Sequence, residues 1–126
     1  MKTLTKQILL VEDDRFLRRA CAAGLRQRGW TVLTAVDGEE ALRMVQSERI
    51  DLVLLDMLMP KLHGLDVMRA LKAEERTQSI PVLVLSNSSR ERDVQEIMKL
   101  GAVGYLVKAN LSLQELGNRV AELLGG

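Results

Sequence analysis

Short apolar runs recur along the chain at Ile8–Val11, Trp30–Val36, Leu52–Leu55, Val82–Leu85 and Val103–Val107. Each has the length of a strand and is rich in leucine or β-branched residues. The segments between them follow another rhythm, with apolar residues three and four positions apart, as in helices with one buried side. The first such segment groups Phe16, Leu17, Ala20, Cys21, Gly24 and Leu25. The second has Ala41, Leu42 and Val45, and the third Leu65, Met68 and Leu71. The fourth has Val94, Ile97 and Met98, and the fifth Leu113, Leu116, Val120, Leu123 and Leu124. Boundary residues agree. Asp14 and Asp37 stand where a side-chain oxygen can cap a helix N-terminus. Ser88 with Glu91, and Ser112 with Glu115, have capping-box spacing. Gly29 and Gly101 follow the first and fourth helices, as left-handed terminal positions prefer.

Strand and helix alternate five times, which predicts an α/β fold with a parallel sheet covered on both faces. The runs at strands 1, 3 and 4 are apolar throughout and belong in the middle. Strand 2 carries Thr31 and Thr34, and strand 5 carries Gly104, so both belong at the edges. That pattern agrees with a flavodoxin-like (βα)5 sheet of order 2-1-3-4-5, whose ligands bind beyond the strands' carboxyl ends between strands 1 and 3.

Composition changes this picture little. The 126 residues suit a single domain spanning 1–126, and 47% hydrophobic with 28% charged residues is ordinary for a globular protein. A net charge of +1 creates no field for nucleic acid or an anionic membrane. Aromatic residues, at 2%, are too few for a base-stacking platform. One cysteine, Cys21, excludes an internal disulfide and fits a reducing compartment. The first apolar run is interrupted by Glu12, Asp13 and Asp14, too early for a signal peptide or a membrane span, which points to the cytoplasm.

The chemistry collects at one rim. Asp13 and Asp14 follow strand 1, Asp56 closes strand 3, Ser86 closes strand 4 and Lys108 follows strand 5. Clustered carboxylates repel one another, and a hard divalent cation such as Mg²⁺ relieves that repulsion with one or two carboxylates, waters and phosphate oxygens. A carboxylate is a nucleophile for phosphoryl transfer. A lysine ammonium and a serine hydroxyl can hold the transferred group, so positioning does most of the catalysis.

The set Glu12-Asp13-Asp14, Asp56-Met57-Leu58-Met59-Pro60 with Gly64, Ser86 and Lys108 resembles the receiver domain of bacterial two-component response regulators over nearly the whole chain. The resemblance implies that Asp56 accepts a phosphoryl group from a histidine kinase or histidine phosphotransfer protein. It implies a Mg²⁺ site made by Asp13, Asp14, Asp56 and the Met57 carbonyl. It matches Ser86 and Lys108 to the switch hydroxyl and the lysine, and Tyr105 to the aromatic residue that turns inward with the switch. Output is then expected through the face of helix 4, strand 5 and helix 5, toward a partner protein or a second copy of the chain.

Three positions depart from the family pattern. Ala109 replaces the proline after the lysine. A cis bond before a non-proline residue costs about 2.5–4 kcal/mol, so a trans Lys108–Ala109 bond is expected. Asn87 replaces a small residue and can either hydrogen-bond the phosphoryl group or crowd it. Leu58 cannot orient an attacking water and Ser88 does so only weakly, which implies a long-lived phosphoryl state.

Plainer roles exist for several residues. Tyr105 also fits a static edge-strand aromatic. Cys21 fits a small inert core residue, and His63 has no second histidine with which to build a metal site. The rival to the phosphorylation switch is a binding module of the same architecture that works without phosphate. An aspartyl-phosphate hydrolase is disfavoured because such enzymes place a second Asp where this chain has Leu58. Motifs of nucleotide-binding and serine-hydrolase folds do not occur.

Overall fold

A computed structural model describes residues 5–57, 64–87 and 91–125, with only the backbone described for 91–93. Strands β1 (Gln7–Val11), β2 (Thr31–Ala35), β3 (Leu52–Asp56), β4 (Val82–Ser86) and β5 (Gly104–Val107) pair in parallel in the order β2-β1-β3-β4-β5. Helices α1 (Arg15–Gln27), α2 (Gly38–Ser47), α3 (Gly64–Ala73), α4 (Glu91–Lys99) and α5 (Leu113–Leu124) connect or follow them. The predicted α/β class and strand order are those observed. Every residue of β3 and β4 is buried, whereas β2 and β5 are partly open, as edge positions require.

Side chains alternate across a strand, so each central strand feeds two cores. Ile8, Leu10, Leu52, Leu54, Leu83 and Leu85 face α1 and α5, where Cys21, Leu25, Leu116 and Val120 meet them. Leu9, Val11, Val53, Leu55, Val82 and Val84 face Ala41, Val45, Met68, Leu71 and Ile97 of α2, α3 and α4. This is why the three central strands are apolar except at their ends, Gln7, Asp56 and Ser86.

The caps act locally as their residue types dictate. Asp14 Oδ1 accepts from the Leu17 amide at 2.9 Å, and Asp37 Oδ1 from the Glu40 amide at 2.8 Å. Ser112 and Glu115 close a reciprocal box at the start of α5. Gly29 and Gly101 have φ of 99° and 102°, a region that disfavours any side chain. The Ser88–Glu91 cap, and the roles of Leu58, His63 and Ser88, lie outside the described residues.

The apolar stripe of α1 is narrower than its sequence suggests. Leu17, Cys21 and Leu25, with Ala22, turn inward, whereas Phe16 is 86% exposed and Ala20 is exposed. The Asp14 cap fixes where the helix begins. At about 100° per residue, Phe16 then falls one position off the buried side. Met98 and Leu113 are likewise exposed at the margins of their helices. No helix among the described residues is long and apolar enough to cross a membrane.

Leu54 is wholly buried at the centre of the sheet. Leu54→Ala should therefore lose about 2–5 kcal/mol of stability, whereas Phe16→Ala should stay within roughly 0.5 kcal/mol of the parent. Urea unfolding midpoints of the two variants check this contrast.

Candidate functional site

Register explains which side chains meet at the rim. Ile8 pairs with Leu52 and Leu10 with Leu54, so one further alternation sets Glu12 level with Asp56 on the same side of the sheet. On the other flank Leu85 pairs with Leu106 and Ser86 with Val107, which sets Asn87 beside Lys108 on that same side. Glu12, Asp13, Asp14, Asp56, Asn87 and Lys108 line a cavity of about 250 Å³. Glu12 and Asp56 are 1% and 3% exposed and form its floor, while Asp13, Asp14 and Asn87 stand at the exposed mouth.

Lys108 links the floor residues. Its Nζ lies 2.8 Å from Glu12 Oε2 and 3.1 Å from Asp56 Oδ2. Lys108 is the one charged partner of Glu12 Oε2 among the described residues, and it pairs with it at ion-pair distance. The lysine opens a short 3-10 turn, Lys108–Asn110. No cis peptide occurs among the described residues, so the Lys108–Ala109 bond is trans as expected, and the ammonium reaches Asp56 nonetheless.

The surrounding backbone is held firmly. Glu12 donates its amide to the Ala35 carbonyl at 3.0 Å, and its Oε1 accepts from the Asp14 amide at 3.2 Å. Arg18 reaches back from α1 to the carbonyls of Glu12 and Asp13, at 3.0 and 3.2 Å. The Met57 carbonyl accepts from the Gly64 amide at 3.2 Å, which leaves its second lone pair available. A Cβ at Gly64 would stand 2.8 Å from Met57 Cα and 3.0 Å from the Asp56 carbonyl. The glycine therefore lets α3 start directly against the chain that carries Asp56.

Ligand atoms of Glu12, Asp13 and Asp56 all lie within 4.8 Å of one another. This all-oxygen set, with one exposed member through which an ion can enter, fits a hard cation such as Mg²⁺. Asp14 lines the cavity mouth but is not among the three converging carboxylates, because one of its oxygens caps α1. The place beside Asp56 that the sequence-based expectation assigned to Asp14 is occupied by Glu12. Asp13, Asp56 and Lys108 are brought together as expected. Ser86 is buried at the end of β4, and by alternation it lies on the opposite side of the sheet from Asn87. Tyr105, half-buried, packs against the core shared by α2, α3 and α4.

Sequence reasoning missed Glu12 and Arg18. The parity of Ile8, Leu10 and Glu12 against Leu52, Leu54 and Asp56 was the available signal for the first. No pattern in the sequence marks the second.

Burial drives the electrostatics. It pushes the Glu12 carboxyl up to about 7, the Asp56 charge adds to that, and Lys108 opposes both. Burial alone would lower Lys108, but the hydrogen-bonding and Coulombic pull of Glu12 and Asp56 prevails and raises it, so the ammonium keeps its charge.

Comparison with known proteins agrees with this geometry. The family model described as the response regulator receiver domain matches residues 8–121, and the chain belongs to that family. Receiver domains serve phosphorylation-dependent signalling. The alkaline phosphatase synthesis transcriptional regulatory protein PhoP of Bacillus subtilis is 35% identical over 121 residues, 96% of this chain and 49% of that protein. The chain spans about half the length of this relative. The chemotaxis response regulator CheY4 of Vibrio cholerae superposes with a TM-score of 0.89 at 29% identity, covering 96% of this chain and all (100%) of that one. The receiver domain of sensor histidine kinase PA1611 from Pseudomonas aeruginosa superposes with a TM-score of 0.87 at 28% identity, covering 98% of this chain and 100% of that one. That neighbour holds a magnesium ion in its active-site cleft.

In metal-free buffer the raised Glu12 carboxyl makes the folded state bind more protons than the unfolded chain between about pH 4.5 and 7. The contribution to stability is full below that window and is lost as pH rises through it. The stability of the parent relative to Glu12→Gln should therefore fall across the window and level off above it. Urea titrations at stepped pH with a chelator present measure this, and a relative stability that climbs with pH contradicts it.

Proposed function

We propose that this chain is a phosphorylation switch that accepts a phosphoryl group on Asp56 from a phosphohistidine of a sensor histidine kinase or histidine phosphotransfer protein. The observation that carries this reading is the convergence of Glu12, Asp13 and Asp56 within 4.8 Å, with Lys108 on two of them. Asp13, Asp56 and the Met57 carbonyl would hold a Mg²⁺ ion, which would supply positive charge to offset a phosphoryl dianion in the acidic cavity. An Asp56 oxygen forms the new P–O bond while the P–N bond of the donor breaks, its electron pair returning to the imidazole nitrogen. Lys108 leaves Glu12 for a phosphoryl oxygen, and Glu12, relieved of its partner, takes a proton. Ser86, on the opposite side of the sheet at the end of β4, donates its hydroxyl to the phosphoryl group by moving toward it.

The group thus favours one arrangement of the loops after β4 and β5, and shifts the population toward it. Tyr105, packed beside Ile97 and Ala102, follows that shift. Exposed Met98 and Val103 give the α4–β5–α5 face an apolar surface for an output protein or a second copy. Leu58 and Ser88 tune hydrolysis, the leucine by offering no polar group to water. On this reading the receiver domain turns over no external substrate and acts in the cytoplasm. A module that ignores phosphate was suggested by Ala109 and Asn87. The 3.1 Å reach of Lys108 to Asp56 across a trans bond weakens the first of these grounds.

Incubation with Mg²⁺ and acetyl phosphate, followed by intact mass, tests the proposal. The parent should gain one phosphoryl group, and Asp56→Ala none. Asp13→Ala should lose most Mg²⁺-dependent labelling. Asp14→Ala should keep it within about twofold and instead lose about 1 kcal/mol of stability with its cap. No gain in the parent, or an equal gain in Asp56→Ala, favours the phosphate-independent module.

A further inference from the structure

Displacement at phosphorus proceeds roughly in line, with the entering and leaving oxygens on opposite sides. When an aspartyl phosphate at Asp56 hydrolyses, the leaving oxygen belongs to a carboxylate that is 3% exposed on the cavity floor. The attacking water must then enter from the mouth. Among the described residues, three side chains stand there: Asp13, Asp14 and Asn87. Asp13 converges with Glu12 and Asp56 on the candidate cation position, and Asp14 has an oxygen tied to the Leu17 amide. Asn87 is the neutral one. Its carboxamide can accept a hydrogen bond from water through the oxygen and donate one to a phosphoryl oxygen through the nitrogen. The register of β4 against β5 sets it beside Lys108, on the side of the sheet that carries Asp56.

We infer that the Asn87 carboxamide orients the water that hydrolyses the phosphorylated form, and so sets how long this switch stays on. This deepens the proposed function and rests on it. The water oxygen forms a new bond to phosphorus as the bond to the Asp56 oxygen breaks. That electron pair returns to the carboxylate, and both water protons leave on dihydrogen phosphate. Loading uses no water, so loss of the water-orienting carboxamide oxygen slows hydrolysis more than it slows gain of the group. Crowding of the phosphoryl group, the other role open to an Asn at this position, predicts the opposite sign for its removal.

The test loads the protein with acetyl phosphate and Mg²⁺, removes the donor by rapid desalting, and follows the decay of the phosphorylated mass. One hydrogen bond's worth of orientation corresponds to roughly three- to tenfold in rate. Asn87→Ala should slow decay by that factor and slow loading by less. Asn87→Gln, which keeps a carboxamide, should recover part of the rate, and an unchanged melting temperature in both variants excludes a folding defect. Decay that is unchanged or faster in Asn87→Ala overturns the inference and leaves the phosphorylation reading standing. Failure of the parent to load overturns both.

Discussion

Glu12 and Asp56 are almost wholly shielded from water, and one ammonium, that of Lys108, stands 2.8 and 3.1 Å from them. Two buried carboxylates side by side cannot both carry full charge without a cation. Lys108 offsets one charge, while burial, with the Asp56 charge adding to it, pushes the Glu12 carboxyl up to about 7. The cavity is therefore poised for further positive charge, and a cation that enters beside Asp13 completes the balance. On the proposed reading, a phosphoryl group arriving on Asp56 competes with Glu12 for the lysine. The same contacts would then favour a hard cation and carry a covalent change on one strand to the turn that follows another.

The fold holds this arrangement with local devices. The apolar centre of the sheet brings the ends of β1 and β3 to one rim, and their register makes Glu12 and Asp56 neighbours. The Asp14 cap turns the chain sharply into α1, and Arg18 straps the same turn through two carbonyls. Gly64 lets α3 begin against the backbone of Asp56 and Met57.

Much of this was legible in the chain because it is local. Three strands without a polar position had to be central, and two with threonine or glycine had to be edges. Asp14, Asp37 and Ser112 announced their helices, and Ala109 announced a trans bond. The acidic triplet was harder. Glu12, Asp13 and Asp14 are chemically alike, and choosing which two enter the cavity needs the pairing of β1 with β3, a relation between residues more than forty positions apart. Counting the alternation from Ile8 would have favoured Glu12. The exposed Phe16 misled for a related reason, since an apolar residue beside a stripe looks like part of it until the cap fixes the helix phase. Size alone left Asn87 ambiguous, and its place in the β4–β5 register gave it a direction.

The central claim is that Lys108 exchanges Glu12 for the phosphoryl group once a cation occupies the acidic cavity. A crystal structure grown with Mg²⁺ and beryllofluoride, a stable mimic of the phosphoryl group, tests it most directly. The account predicts the metal on Asp13, Asp56 and the Met57 carbonyl, the fluoride adduct on Asp56, and Lys108 Nζ moved off Glu12 Oε2 onto a fluorine. A metal bound away from these oxygens, or an adduct on Asp56 with Lys108 still paired to Glu12, contradicts it.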